Sequence, residues 1–423
     1  MKDQKSNPEV VTFGCRLNTV ESEIIKNHAI KAGLNNATIF NTCGVTEAAE
    51  KQAIKEIKKI KKENPKTQII VTGCAVQINP TKYKKLSEVD VVLGNHEKLQ
   101  VDSYRLKSPS DNFQISNIME RKKMGEHLIS GFGKRTRAFI QIQQGCDHRC
   151  TFCIIPFGRG NSRSLPVENI AKQINILLEQ GYKEAVLTGV DISSYGQDLS
   201  VKHSLGSMVK QLLVMLPNLK RLRLSSLDPA VIDDELLEII STEPRLMPHL
   251  HFSVQAGSDL ILKRMKRRHS REGLISLCKK IKQLRPEIVF GADIIVGFPT
   301  ETEENFSDTL RIVDEANLTY LHVFPFSARP ETPAARMPQV ERKIIKKRSE
   351  ILRIKGDKIK TEYFKSLIGK EVTALVEKGD RGYTESFAPI KFKEPVKRGK
   401  IVSAKISGFS NERLSAEIMS SIL

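Results

Sequence analysis

The chain has 423 residues, of which 39% are apolar and 28% are charged; this length suits two or three domains, and the composition excludes collagen-like, low-complexity and wholly disordered proteins. The net charge of +19 favours a polyanionic partner, nucleic acid above all, although a solubilising surface is the alternative. The apolar run at residues 288–298 is too short to span a membrane and contains Asp293, and the polar residues 1–5 lack the apolar region of a secretory signal. We therefore expect a cytoplasmic protein that makes no membrane contact.

The first hundred residues alternate short apolar strands with helices. Strands are predicted at residues 10–13, 37–40, 68–72 and 89–93, and helices at residues 19–31 and 47–63. Strand–helix–strand order at this spacing predicts an open parallel sheet for an N-terminal domain, residues 1–106. Residues 107–135 lose this periodicity and are rich in Ser, Pro, Lys and Gly, which predicts a linker.

A second alternation begins at Arg137. The predicted strands are residues 138–143, 184–188, 221–225, 249–254, 288–295 and 319–324. The predicted helices are residues 166–180, 205–216, 232–241, 271–284 and 303–317. Six β/α units are too few for a closed eight-stranded barrel, so residues 136–335 are predicted to form a partial, open (β/α)6 barrel.

The last fifth of the chain is its most basic part. Residues 336–423 hold 21 Lys and Arg against 11 Asp and Glu. A basic helix is predicted over residues 340–367, so that residues 336–365 form a helical segment between two domains. Strands predicted at residues 372–376, 388–392, 401–406 and 414–418 indicate a small β-barrel over residues 366–423. The predicted fold class is therefore α/β, with an open parallel sheet, a partial barrel and a small all-β domain.

Three of the seven cysteines form the sharpest motif. Cys146, Cys150 and Cys153 lie on one loop after the first barrel strand, at the end of the barrel where active sites lie. Three thiolates can hold a four-iron cluster and leave one iron open for another molecule. Zinc would require a fourth ligand, for which His148 is available, but not at the usual spacing from a second His. We favour an iron–sulfur cluster over zinc and over three inert buried cysteines.

Cys15, Cys43 and Cys74 form a second set, because each comes one to three residues after an apolar strand. The ends of successive parallel strands share one edge of a sheet, so the fold would bring these thiols together. Each alone could be a small buried hydrophobic residue, as we expect for Cys278 at core spacing in a helix. Three cysteines at equivalent positions favour a second iron–sulfur cluster.

These motifs make essentially the whole chain resemble the radical S-adenosylmethionine (SAM) methylthiotransferases, which place a methylthio group on carbon 2 of modified adenosines in tRNA, or on a ribosomal protein. The resemblance covers an N-terminal cluster domain, a radical SAM barrel with the CxxxCxxC loop, and a C-terminal TRAM-like domain. Residues 13–18 (FGCRLN) and 41–46 (NTCGVT) resemble the branch that acts on N6-threonylcarbamoyladenosine. The isopentenyladenosine branch usually has Gln-Met-Asn after the first cysteine and Arg in the place of Thr46, and the ribosomal-protein branch generally has Lys-Asn.

The resemblance implies two 4Fe–4S clusters in one cavity between the first two domains, with SAM as the second cofactor. SAM would bind the open iron of the Cys146/Cys150/Cys153 cluster and be cleaved to a 5′-deoxyadenosyl radical, which activates an unreactive C–H bond. The Cys15/Cys43/Cys74 cluster would hold the sulfur to be inserted. The SAM contacts that the family's motifs imply are Phe152, Gly189 and Asp293, although residues 291–301 can also be explained as a strand-to-turn connection. Further candidate contacts are the strand ends at residues 221–226 and 251–255.

The resemblance also implies partners. The basic helix and the TRAM-like domain would hold a tRNA anticodon stem-loop whose splayed base enters the cavity. Phosphate contacts are expected at Lys391, Lys393, Lys397, Arg398 and Lys400, a solvated charged face being the alternative. A low-potential electron donor similar to flavodoxin or ferredoxin is expected, as is a monomer.

Several alternatives stay open. The same chemistry could act on isopentenyladenosine or on a ribosomal protein, and a non-catalytic iron–sulfur RNA-binding module is the remote alternative. His203, His249 and His322 lack ligand-like spacing, which predicts structural histidines.

Overall fold

The computed structural model of the chain describes residues 7–133, 135–410 and 412–421. The N-terminal domain is a five-stranded sheet in which every strand pair is parallel, as predicted. Its elements are β1 (Glu9–Thr12), α1 (Arg16–Lys31), β2 (Ala37–Thr42), α2 (Glu47–Glu63), β3 (Gln68–Gly73), α3 (Cys74–Ile78), α4 (Pro80–Lys84), β4 (Val91–Leu93) and β5 (Phe113–Gln114). Strands β1 to β5 lie side by side in chain order, so the loops after β1, β2 and β3 meet at one edge.

Both faces of this sheet are buried. Ile25 of α1 packs with Ile39 of β2 on one face, while Ile57 of α2 packs with Phe40 of β2 on the other. Because successive strand residues point to opposite faces, the neighbouring pair Ile39 and Phe40 serves both cores. Burial on both faces explains why these strands are continuous apolar runs rather than alternating ones.

The segment predicted to be a linker, residues 107–135, contributes to both neighbouring domains. Its strand β5 pairs with β4 as the fifth strand of the sheet, and its residues Ile129 and Phe132 are buried in the core of the barrel. A two-residue strand is too short to show alternation, so no pattern in the sequence predicts it.

The central domain is a partial barrel of two three-stranded parallel sheets, in the orders β10-β9-β6 and β11-β12-β13. Its strands are β6 (Arg137–Gln141), β7 (Gln143–Gln144), β8 (Arg163–Ser164), β9 (Glu184–Thr188), β10 (Arg221–Leu224), β11 (His249–Gln255), β12 (Val289–Val296) and β13 (Leu318–Pro325). Its helices are α5 (Ile155–Arg159), α6 (Val167–Glu179), α7 (Leu205–Met215), α8 (Asp234–Thr242), α9 (Asp259–Met265), α10 (Arg271–Leu284) and α11 (Glu303–Glu315). Isolated bridges such as Leu227 to Phe252 link the two sheets beside β11, and one apolar core runs through both.

Helix α9 was not predicted, because it overlaps the charge run at residues 263–271. Its apolar side chains Ile261 and Leu262 are nevertheless buried, and the run is largely structural. Both Arg267 and Arg268 form ion pairs with Asp228. This basic run is therefore not a free surface for a polyanion.

The long basic helix α12 (Arg342–Leu367) joins the barrel to the C-terminal domain, as predicted. No helix in the described ranges is both long and apolar enough to cross a membrane. The C-terminal domain is a closed barrel in the order β14-β15-β16-β18-β17. Its strands are β14 (Glu371–Lys378), β15 (Arg381–Thr384), β16 (Pro389–Phe392), β17 (Ile401–Ser410) and β18 (Arg413–Ser421). Strand β15 was missed because it contains Gly382, where a Cβ would lie 2.2 Å from the carbonyl oxygen of Leu375.

Candidate functional site

The first three cysteines meet at one edge of the N-terminal sheet. Cys15 comes shortly after β1, Cys43 directly after β2 and Cys74 directly after β3. Burial raises the pKa of the Cys43 thiol to about 11, and the thiols of Cys74 and Cys15 are close enough to add to that rise. A Cβ on Gly14 would lie 2.7 Å from the Sγ of Cys43, so only glycine fits before Cys15. The fold thus brings this set together in the way that the strand ends predict.

A buried arginine ties this set to the barrel. The Nε of Arg159 in α5 donates a hydrogen bond to the Sγ of Cys74 at 3.1 Å, and its Nη atoms donate to the Glu21 carboxylate at 2.8 and 3.0 Å. Lys98 donates to the same carboxylate at 2.7 Å, and all three charged side chains are buried. Burial alone would raise the pKa of Glu21, but Arg159 and Lys98 outweigh it and lower that pKa to about 2. This Arg159 network (Glu21, Lys98 and Arg159) therefore places a net positive charge beside the Sγ of Cys74.

The other three cysteines, Cys146, Cys150 and Cys153, lie on the loop between β7 and α5. The loop begins at Gly145, whose φ is +75° and where a Cβ would lie 1.9 Å from the carbonyl oxygen of Asn161, so the start of the loop touches the segment that follows α5. Burial raises the pKa of Cys146 to about 12 and that of Cys153 to about 11. Such thiols ionise where a metal replaces the proton.

Asp191 lies beside this loop and holds His148. One carboxylate oxygen of Asp191 lies 3.8 Å from the Sγ of Cys146 and 3.2 Å from the Nε2 of His148. The Oγ of Ser194 donates to the same oxygen at 2.7 Å. His148 is thereby engaged outside the cysteine set, which weakens the zinc alternative.

The spacing of the thiols also argues against a single metal ion. Within residues 7–133, 135–410 and 412–421, one group of three candidate ligands has all its ligand atoms within 4.8 Å of one another, and it contains no cysteine. Thiolates on one tetrahedral zinc lie about 3.8 Å apart, because each Zn–S bond is about 2.3 Å. Both cysteine sets are wider than that, as a cluster of several irons requires.

A cavity of about 230 Å³ lies beside the barrel loop. On one side it is lined by Val45 and Thr46, which stand two and three residues after Cys43. On the other side it is lined by Cys153 of the barrel loop and by Asp293 of β12. The segment after Cys43 and the barrel loop with Cys153 thus line one chamber, of a size that suits a small molecule or a base more than a helix.

Two of the predicted SAM contacts lie in different surroundings. Phe152 lines the chamber, and its ring packs edge-on against Phe298 with centroids 6.5 Å apart. At Gly189 a Cβ would lie 2.8 Å from the Oε1 of Gln143, which accepts hydrogen bonds from the two backbone N–H groups after Gly189. Packing alone therefore explains the glycine, and both SAM contacts remain predictions.

Asp293, the third predicted contact, is held by two histidines. The Nε2 of His251 lies 2.9 Å from its Oδ1, and the Nδ1 of His322 lies 3.2 Å from the same atom. Burial would raise the pKa of Asp293, but these two histidines hold it well below its usual range. His251, Asp293 and His322 are together the group of three candidate ligands, without a cysteine, whose ligand atoms lie within 4.8 Å of one another. His322 was predicted to be structural because it lacks ligand-like spacing, yet adjacent barrel strands bring it against Asp293, which lines the chamber.

Basic side chains without an acidic partner in the described ranges are exposed on α12 and on the C-terminal barrel. They include Arg342, Lys343, Lys346, Lys347, Lys358, Lys391 and Lys397. Of the predicted phosphate contacts, Lys393 instead forms an ion pair with Glu417 at 2.5 Å. The remaining lysines form the basic surface that could face a polyanion.

Comparison with protein families separates two parts of the chain. Residues 140–313 match the Radical SAM superfamily, and residues 8–94 match the uncharacterized protein family UPF0004. The solved structure of the radical S-adenosylmethionine methyltransferase TsrM from Kitasatospora setae, with cobalamin and a 4Fe-4S cluster bound, superposes with a TM-score of 0.58 over 78% of this chain and 77% of that chain. At 12% identity this likeness concerns the fold alone.

Curated relatives extend over almost the whole chain. Threonylcarbamoyladenosine tRNA methylthiotransferase MtaB of Rickettsia prowazekii (strain Madrid E) is 52% identical over 95% of this chain and 94% of its own length. The protein of the same name from Aquifex aeolicus (strain VF5) is 35% identical over 93% and 98%. A tRNA-2-methylthio-N(6)-dimethylallyladenosine synthase of Orientia tsutsugamushi (strain Ikeda) is 32% identical over 97% and 98%.

Proposed function

This chain belongs to the threonylcarbamoyladenosine tRNA methylthiotransferases, a family of radical SAM enzymes, and we propose that it adds a methylthio group to carbon 2 of N6-threonylcarbamoyladenosine next to the anticodon of tRNA. The observation that carries the proposal is the single chamber lined by Cys153 of the barrel loop and by Val45 and Thr46, which follow Cys43 of the N-terminal domain. An enzyme that transfers sulfur to an unreactive carbon needs a radical source and a sulfur source within reach of one atom. The shared chamber supplies that arrangement.

The family implies SAM and a 4Fe–4S cluster, and the barrel loop fits that pair. Three thiols on one loop, Cys146, Cys150 and Cys153, would hold the cluster and leave one iron free for SAM. When bound, the two cofactors supply a one-electron cleavage of SAM that activates a C–H bond. Phe152 and Asp293 line the chamber beside this loop and would exclude water and orient the bound groups.

A second cluster on Cys15, Cys43 and Cys74 completes the proposal. Support comes from the convergence of these thiols at one sheet edge, from their wide spacing, and from the charge of the Arg159 network beside Cys74. The electron is expected from a low-potential donor similar to flavodoxin or ferredoxin, and the enzyme is expected to act as a monomer.

The substrate branch rests on similarity and on residues 13–18. The threonylcarbamoyladenosine enzyme at 52% identity is well above the dimethylallyladenosine synthase at 32%. The basic C-terminal surface favours tRNA over a ribosomal protein as the substrate. The family also removes the alternative of a non-catalytic RNA-binding module.

Nucleoside mass spectrometry of tRNA tests this function directly. A strain that lacks the gene is expected to accumulate threonylcarbamoyladenosine without its methylthio group, and expression of the chain should restore the methylthio form. The Cys150→Ala variant is expected not to restore it. Restoration of methylthio-isopentenyladenosine instead would assign the chain to the other branch.

The basic surface yields a second expected result. Changing Lys391, Lys397 and Arg398 together to Glu should lower the affinity for an anticodon stem-loop by at least about tenfold. Each phosphate contact releases counterions when it forms, so the loss of these contacts should also reduce the number of ions released on binding by about two to three. Fluorescence anisotropy at several salt concentrations measures both quantities.

A matched control exists on helix α2. Lys55, Lys58 and Lys62 are also exposed and have no acidic partner in the described ranges, so their triple change to Glu alters net charge equally. We expect that control to bind RNA within about twofold of the unchanged protein. Equal losses in the two triple variants would show that net charge, rather than this surface, governs binding.

A further inference from the structure

Arg16 has a positive charge that no group of the described protein neutralises. It is the first residue of α1 and directly follows Cys15. No carboxylate oxygen in residues 7–133, 135–410 and 412–421 lies within 4.0 Å of its guanidinium, and the side chain makes no hydrogen bond there. The nitrogen atoms of its side chain are not among the fully buried polar atoms that lack a hydrogen-bond partner, so another molecule can reach them.

Two other arginines lie close to Arg16, so its surroundings are positively charged as well. Arg16, Arg137 and Arg223 all face the ring of Phe387, a residue of the C-terminal barrel, with their Cζ atoms 6.0, 5.0 and 5.0 Å from its centroid. Arg137 is paired with Glu377, whose carboxylate oxygen lies 2.7 Å from its Nε. Arg223 also has a carboxylate partner, which leaves Arg16 as the one guanidinium of the three without one in the described ranges.

The partner of Arg223 is Glu184, which lies 2.8 Å away. Glu184 and Asp293 are the acidic groups whose charges act on Arg16, while Arg137 and Arg223 oppose its charge. Glu184 is already paired with Arg223, and Asp293 is already held by its two histidines. Neither acid is free to serve Arg16.

Arg16 is half-buried, and an unpaired guanidinium that has lost part of its contact with water is costly for a folded protein. A cation in that condition is maintained where an anion arrives as part of the function, since a carboxylate can accept two parallel hydrogen bonds from the guanidinium. Arg16 also lies next to a proposed ligand of the sulfur-holding cluster. An anion bound there would place the rest of its molecule beside that cluster.

We propose that Arg16 binds the carboxylate that the threonyl group carries on the substrate base. This inference rests on the proposed function and deepens it, because it names the residue that selects threonylcarbamoyladenosine. Unmodified adenosine and isopentenyladenosine have no negative charge on the base. A site built on an unpaired arginine therefore gains affinity from the threonylcarbamoyl group alone and leaves the half-buried charge of Arg16 unpaired with either competitor.

The test compares two anticodon stem-loops that differ only at the target base, one with threonylcarbamoyladenosine and one with adenosine. The full chain with its clusters is used without a reductant, so that binding is measured without turnover. The unchanged protein is expected to prefer the threonylcarbamoyl RNA by at least about tenfold, the usual worth of a charge-assisted hydrogen bond. Arg16→Gln should abolish that preference while changing the affinity for the adenosine RNA by less than about twofold.

Two further variants keep the test decisive. Arg16→Lys preserves the positive charge but cannot donate two parallel hydrogen bonds to a carboxylate. A reduced but measurable preference for the threonylcarbamoyl RNA is therefore expected, even if Arg16→Gln folds poorly. Arg398→Gln removes an arginine from the basic surface and should weaken both RNAs equally, leaving the preference unchanged. The iron content of every variant is measured alongside, because Arg16 adjoins Cys15.

Several outcomes would overturn the inference. Equal weakening of both RNAs by Arg16→Gln would assign Arg16 to a backbone phosphate, and an unchanged preference in both Arg16 variants would make it structural. Failure of the proposed function gives a different result: the unchanged protein would then show no preference between the RNAs and would form no methylthio product under reducing conditions.

Discussion

Changing Cys146, Cys150 and Cys153 together to Ala is expected to abolish both the reductive cleavage of SAM and the formation of methylthio nucleoside. The iron bound after anaerobic reconstitution should fall from about eight to about four per chain, because one of two four-iron clusters loses all its protein ligands. The three thiols lie on a single loop, and Cys153 of that loop lines the chamber. Iron analysis and detection of 5′-deoxyadenosine under dithionite measure the two effects.

The reciprocal variant distinguishes the role of one cysteine set from the role of the other. Changing Cys15, Cys43 and Cys74 together to Ala should remove the same amount of iron but preserve the cleavage of SAM, since the barrel loop remains intact. The methylthio product should still be lost. Cys278→Ala is the control, because this buried thiol lies in the barrel core away from both sets; it should keep the full iron content. Zinc in either set, or SAM cleavage that survives the loss of the loop cysteines, would contradict the assignment.

The placement of the six cysteines could be predicted because it depends on topology alone. Cys15, Cys43 and Cys74 each follow a buried strand, and parallel pairing of β1, β2 and β3 brings the ends of those strands to one edge. The proximity of the other three cysteines needs no topology at all, since they lie within eight residues of one another in the sequence. Apolar runs and helix periodicity were enough to fix the domains that carry both sets.

The side chains around the cysteines could not be predicted in the same way. Arg159 and Glu21 are 138 residues apart, and neither belongs to a motif of metal ligands. Their contact depends on how α5 of the barrel docks beside α1 of the N-terminal domain, which no local pattern encodes. The meeting of His322 with Asp293 depends on the register of β12 against β13, and a shift of one residue would turn one of these side chains to the other face.

The Arg159 network leads to the largest expected loss of stability. Arg159→Leu leaves the Glu21 carboxylate, which is fully buried, with Lys98 as its remaining cation. Removing one partner from a buried ion pair costs about 3 kcal/mol or more, so amide exchange in α1 should become about a hundredfold faster. Hydrogen–deuterium exchange of peptides from α1 measures this change locally, without requiring the whole chain to unfold in one step.

The pH dependence of this loss distinguishes a charge effect from a packing effect. The Arg159 network holds the pKa of Glu21 at about 2, below its ordinary value of 4.5. Because the folded pKa is lowered, the stabilisation is complete above about pH 4.5 and is lost as the pH falls toward 2. The difference in stability between Arg159→Leu and the unchanged protein should therefore be largest at neutral pH and should narrow as the pH falls from about 4.5 toward 2. Arg311→Leu is the matched control, because its ion pair with Asp308 is exposed and should contribute less than about 1 kcal/mol. A difference that stays constant from neutral pH to about pH 2 would show that Arg159 acts through packing rather than through its charge.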